Sequence, residues 1–219
     1  MGRTARGLCR PRSVVGDVVS AVVDGLATRV GGGAKLPNVV AIHRAIYTTP
    51  RYFAPAVGHS IYASIFIALV AFLPSALDAL WLTVVLPLAN LSGTFASGFI
   101  ARRMPASRLS VAGFAAGAVL FTLVGLTGSV VIALLAMVAT GVTAGANFAA
   151  VPEFNTTPED QARANGAMAQ IGNVGTFSGT PVFALVAGSL WGLAAVSVAI
   201  CVAGALCAGL GYRAARLSA

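Results

Sequence analysis

Six apolar blocks dominate the sequence, at residues 56–77, 79–101, 109–127, 130–151, 166–187 and 190–211. Each is about 20 residues long, the length at which a helix crosses a hydrocarbon core of about 30 Å while satisfying its own backbone hydrogen bonds. The pattern predicts an all-α integral membrane protein with about six transmembrane helices. Charged residues make up 9% of the chain and hydrophobic ones 58%, against roughly a quarter charged in a soluble domain. A water-soluble fold is excluded, and the lipid bilayer is the first expected partner.

The formal charge of +8 is explained by topology, with no nucleic-acid partner needed. Arg3, Arg6, Arg10, Arg12, Arg29, Lys35, Arg44 and Arg51 precede the first span. Arg102, Arg103 and Arg108 fill the link after the second, Arg163 precedes the fifth, and Arg213 and Arg216 follow the sixth. The links near 78, 128 and 189 carry neither Lys nor Arg. By the positive-inside rule both termini are cytoplasmic, and Trp81 and Trp191 then fall at the opposite interface, where an amphipathic ring is favoured. Thirteen Arg against one Lys suits a GC-rich genome, which suggests a bacterial inner (plasma) membrane. Asp17, Asp24 and Arg29 interrupt residues 14–31, so no cleavable signal peptide is read there. Cys9, Cys201 and Cys207 have no metal or disulfide spacing, and no metal or cofactor is expected.

Three regions follow. Residues 1–55 form a basic cytoplasmic segment in which Val15, Val19, Val22, Leu26 and Val30 make one stripe of an amphipathic helix near 14–30. That helix could lie on the membrane surface or dock on the bundle. Residues 56–212 are the six-helix membrane domain, and 213–219 a short cytoplasmic tail. In the long link from Pro152 to about Asn165, Thr157 can cap a helix, Pro158 suits its first position, and Glu159 and Asp160 favour its positive dipole end. A short cytoplasmic helix leading into the fifth span is expected.

Polarity inside the spans is patterned. At about 100° per residue, Thr83, Asn90, Thr94 and Ser97 share one side of the second span, beside Pro87. The fourth repeats this with Ser129, Thr140, Thr143 and Asn147, and the fifth with Gln170, Asn173, Thr176 and Thr180. The first carries His59 and Tyr62 on one side. The third and sixth are nearly bare. Amides in a bilayer are costly unless paired or wetted, so two readings compete: hydrogen bonding between helices, and a solute cavity lined by His59, Tyr62, Thr83, Asn90, Thr94, Thr140, Thr143, Asn147, Gln170, Asn173 and Thr176. His59 alone is as well explained as a snorkelling or capping residue. Gly113 and Gly117, Gly141 and Gly145, Gly188 and Gly192, and the series Gly172, Gly175 and Gly179 suit close helix approach.

The segment Gly98-Phe-Ile-Ala-Arg102-Arg103-Met-Pro-Ala-Ser-Arg108 resembles the loop signature of the second half of major facilitator superfamily transporters, although Arg102 stands where the family pattern has an acid. Val151-Pro-Glu-Phe, the run from Gly166 through Gln170 and Asn173, and Gly179-Thr-Pro181 are similar to the family's tenth-to-eleventh helix region. The likeness covers about residues 50–212. It implies a half-bundle of two inverted three-helix repeats, with spans one, two, four and five facing a cavity and spans three and six facing lipid. It also implies transport of a small-molecule solute by alternating access, without covalent chemistry.

A complete member has about twelve helices, so the chain is read as a half-transporter or a C-terminal fragment of a split or truncated gene, and a second six-helix bundle is expected as partner, either a separate N-terminal half or another copy of this chain. A non-transporting membrane scaffold or assembly protein is the alternative. An intramembrane serine protease is disfavoured: it needs a Gly-x-Ser-x-Gly-like nucleophile, whereas Gly93 to Gly98 and Gly175 to Gly179 hold serine and glycine in the wrong order. No catalytic residue is assigned.

Overall fold

The computed structural model describes residues 39–218, with Ser20 alone before them. The amphipathic helix expected near 14–30 therefore lies outside the described residues. Two compact units are distinguished, 1–42 and 43–219, and the second holds the membrane domain. The described residues form seven helices: α1 (Val39–Thr48), α2 (Pro50–Ala76), α3 (Leu82–Ile100), α4 (Ala106–Thr127), α5 (Val130–Phe154), α6 (Pro158–Ala184) and α7 (Leu190–Leu217).

Helices α2, α3, α4, α5 and α7 are long and apolar enough to cross a bilayer. Of the six expected spans, α6, the fifth block, has the length but not the apolarity of the other five. Its 27 residues include Glu159, Asp160 and Arg163 in the first turns. Farther on, Gln170, Asn173, Thr176, Thr180 and several glycines replace the large aliphatic residues of the other helices. It is also one continuous helix, with no separate short helix before it. Its start is as expected: the Thr157 side chain accepts from the Asp160 amide, and Pro158 takes the first position. Helix α2 begins at Pro50, earlier than its apolar block, because proline is compatible with the first turn; Pro55 and Pro74 lie within it. Ser129, placed on the polar stripe of the fourth span, is the N-cap of α5 and accepts from the Ile132 amide.

Arg51 at the start of α2 pairs with Asp160 at the start of α6. Arg216 near the end of α7 pairs with Glu153 at the end of α5, which also accepts from Ser107 at the start of α4. These contacts gather the links at 101–105 and 155–157 at one end of the bundle, the end that carries the arginines. Helices α2, α4 and α6 run away from it, and α3, α5 and α7 run toward it.

The packed pairs are α2 with α6, α7, α5 and α3; α5 with α3, α4 and α6; and α4 with α7. This set is unchanged when α2 is exchanged with α5, α3 with α6 and α4 with α7. The exchange also reverses the direction of every helix. The close crossings follow from small residues. A Cβ on Gly141 or Gly145 of α5 would meet the Asn90 or Thr94 carbonyl of α3, and one on Gly175 or Gly179 of α6 would meet the Ser60 or Ser64 carbonyl of α2. The buried core between these crossings is aliphatic and aromatic, with Ile65, Leu69, Leu86, Phe114, Phe121 and Met137 almost wholly enclosed.

Candidate functional site

The polar residues singled out in the sequence divide into two sets. Tyr62, Asn90, Thr140, Thr143 and Asn147 are buried inside the bundle. The Tyr62 hydroxyl on α2 donates to Asn90 Oδ1 on α3 at 2.8 Å. The Asn90 amide donates onward to the Met137 carbonyl at 3.2 Å and to Thr140 Oγ1 at 3.0 Å, both on α5. Thr94, half-buried, donates to the Asn90 and Gly141 carbonyls. Thr143 bonds back to the Ala139 carbonyl and lies over Gly113 of α4.

Asn147 forms a second junction. Its Oδ1 accepts from Ser110 of α4 at 2.7 Å and from Tyr212 of α7 at 2.8 Å. Gly58 of α2 makes room for it, because a Cβ there would stand 2.7 Å from the same oxygen. The reading of α4 and α7 as nearly bare is thereby corrected: each supplies a hydroxyl to this junction. A serine near a helix start and a tyrosine near a helix end look like interface residues in a sequence. The spacing of Ser107 and Ser110, three apart on one side of α4, was the available signal.

The second set faces outward. Gln170 and Asn173 are exposed on α6, Thr176 is half-buried beside them, and Thr83 is exposed at the start of α3. Gln170 accepts from the Tyr47 hydroxyl of α1 at 2.5 Å. Asn173 has no hydrogen-bond partner among the described residues. Around α6 from its glycine stripe, at about 100° per residue, Gly172, Thr176, Thr180 and Asn173 follow one another on the side of His59.

That histidine is half-buried on α2. Its ring lies against Gly172, 4.9 Å from the Phe148 ring of α5 and 5.5 Å from the Tyr62 ring, which stacks in turn on Phe66. Its Nδ1 is buried without a partner. The junction of α2, α5 and α6 therefore sets an imidazole and the exposed Phe148 ring beside the amide–hydroxyl stripe of α6. Such a surface offers stacking and hydrogen-bonding contacts.

At the arginine-bearing end, the loop residues lie apart from these sets. Gly98 has open space where a Cβ would be. Arg102 stacks over the Phe99 ring with its guanidinium carbon 5.5 Å from the centroid. Arg103 and Arg108 have no ion-pair partner among the described residues. The clamp at this end joins Arg51 and Asp160 to Tyr52, Asn155 and Gln161, which the sequence did not single out. Tyr52 and Arg51 of α2 hold Asp160, Asn155 donates to the Arg51 carbonyl, and Gln161 donates to the Asn155 carbonyl. The Tyr52 and Thr157 hydrogen bonds, aided by Arg51 and Arg163, hold the Asp160 carboxyl below the ordinary carboxylate range.

Among the described residues no group of three His, Cys, Asp or Glu could hold a metal ion. No protein family, curated protein or solved structure matches the chain.

Proposed function

We propose that this chain is a transporter-type membrane domain, one six-helix half of the major facilitator kind, which moves a small solute by alternating access together with a second bundle. The observation that carries the proposal is the exchange relation of the packing. Two three-helix units, α2–α4 and α5–α7, run in opposite senses and interlock, each unit's second helix crossing the other's first helix. Inverted repeats of this kind place solute sites at the interface between bundles. In this reading α6 completes a set of six spans, covered on one side by α2 and on the other by the second bundle, with both termini cytoplasmic in a bacterial inner membrane.

The solute face is then narrower than the sequence stripes suggest. His59, Phe148, Thr176, Gln170 and Asn173 line it, while Asn90, Thr140, Thr143 and Asn147 fix the helices behind it. The test is solute flux into proteoliposomes over a panel of cationic, anionic and neutral small molecules, with and without a co-reconstituted six-helix N-terminal half. Saturable flux only in the two-half sample supports the reading. Its absence for every solute and every half would overturn it.

One observation favours a second reading, a non-transporting scaffold: the buried Asn90 amide and the Asn147 Oδ1 bond to neighbouring helices inside the bundle and leave less polarity for a cavity. A partner that binds the α6 face without flux would establish it.

A further inference from the structure

We propose that the groove between the start of α4 and the end of α7 is a binding site for the phosphate headgroup of an anionic phospholipid. The groove has a volume of about 340 Å³ and is lined by Arg108 and Ser107 of α4 and by Arg213 and Arg216 of α7, with Val111 and Gly209 forming an apolar wall. Three arginine side chains thus line one concavity at the end of two apolar helices. Arg216 is fixed there by donating to Ser107 Oγ at 2.6 Å and by its pairing with Glu153 at 3.7 Å. Arg108 and Arg213 are exposed and have no acidic partner among the described residues, so their charge is available to a ligand.

The depth of each residue selects the occupant. Arg108 lies in the first turn of α4, and Arg213 and Arg216 in the last turns of α7, at the level where an apolar span gives way to headgroups. Val111 and Gly209 lie about one turn deeper. A Cβ on Gly209 would stand 3.9 Å from Val111 Cγ2, so the absent side chain leaves room beside an apolar contact. Cation above and apolar wall below match a molecule with a phosphate at one end and an acyl chain at the other. A basic recess between helices at the membrane surface is a known way of holding anionic headgroups. Helices α4 and α7 do not belong to the solute face, so the site is independent of it and of the proposed transport activity.

The test is native mass spectrometry of the purified full chain in detergent, titrated with phosphatidylglycerol and, separately, with phosphatidylcholine. Retained phosphatidylglycerol adducts and few phosphatidylcholine adducts are expected. Each exposed arginine near the surface contributes about fivefold, so Arg108→Gln with Arg213→Gln should weaken the adduct at least about tenfold. The pair Arg102→Gln with Arg103→Gln, which carries the same charge change outside the groove, should leave it within about twofold. Gly209→Leu changes no charge and fills the apolar wall; it should also weaken the adduct. Equal loss from both arginine pairs would mean general charge attraction and would overturn the proposal. So would an unchanged adduct in the Arg108 and Arg213 variant, or displacement of the lipid by inorganic phosphate at equal concentration, which would make the groove a free-anion site.

Discussion

Tyr62 on α2 donates its hydroxyl to Asn90 on α3 at 2.8 Å, and the Asn90 amide donates to Thr140 on α5 at 3.0 Å. One side chain thereby ties three helices at a buried point. Replacing Asn90 with Leu leaves the Tyr62 hydroxyl without its acceptor and should destabilise the bundle by about 1–2 kcal/mol. Tyr62→Phe should cost less, and the two together should show a coupling of about 0.6 kcal/mol, the average for such pairs in a membrane bundle, and no more than about 1.7 kcal/mol. Unfolding of the four proteins of this cycle in mixed micelles gives the coupling directly. A value of zero would mean that the hydrogen bond is replaced by water or lipid contacts at no loss.

Glycines of similar appearance in the sequence should respond in opposite ways. At Gly141 a Cβ would run into the Asn90 carbonyl, a backbone atom that cannot turn aside, whereas at Gly98 it meets nothing within 4 Å. Gly141→Ala should force α3 and α5 apart at a cost of about 3 kcal/mol, at the upper end of overpacking. Gly98→Ala should be neutral or stabilising by a few tenths, because alanine is the better helix former. Thermal unfolding of the two variants, compared with the parent in the same detergent, separates them.

The clamp on α6 has a definite pH dependence. Hydrogen bonds from Tyr52 and Thr157, then the charges of Arg51 and Arg163, lower the Asp160 carboxyl relative to its unfolded value. A depressed carboxyl contributes stability that is fully present above the unfolded pKa of about 3.9, and that is lost as pH falls through the lower folded value. Amide protection at residues 159–165, taken relative to the intrinsic exchange rate at each pH, should therefore hold at pH 5 and fall only below about pH 4. Asp160→Asn should give low protection at both, with no step in between. A step already present at pH 5 would show that another group opens this end.

The two sets of polar residues differ in how far the sequence exposes them. Apolar length located five of the six long helices, and the capping residues Thr157 and Pro158 marked the start of α6, because both signals are local. The stripes also identified Asn90 and Asn147 as residues needing partners. They could not tell a partner from a cavity, since helical periodicity gives the side a residue faces and not what stands opposite. Tyr212 and Ser110 lie 65 and 37 residues from Asn147, and only the packing of α4 and α7 brings them to it. The shortfall in apolarity of α6 was visible in its composition, yet its even spread of small residues gave it the outline of a span.

The last prediction concerns the uncovered side of α6. This helix is held almost wholly by α2 through Gly172, Gly175 and Gly179, and it exposes Gln170, Asn173 and Phe177, the last 83% exposed. Its exchange counterpart α3 presents Leu88, Leu91 and Phe95 on its own outer face, with exposures of 58%, 48% and 67%. The α3 face suits lipid as it stands. The α6 face does not, because an unpaired amide in hydrocarbon costs about 1 kcal/mol or more, and Asn173 is such an amide. Covering it with a second bundle removes that cost. Asn173→Leu should therefore leave the isolated chain as stable or slightly more stable in detergent, while weakening its association with a six-helix N-terminal half by severalfold. Phe95→Ala on α3 should change association less than about twofold. Analytical ultracentrifugation gives the association, and thermal unfolding of the same samples gives the stability. A loss of stability in this variant without loss of association would place the Asn173 amide in a contact within the chain, and the partner would have to be sought on another face.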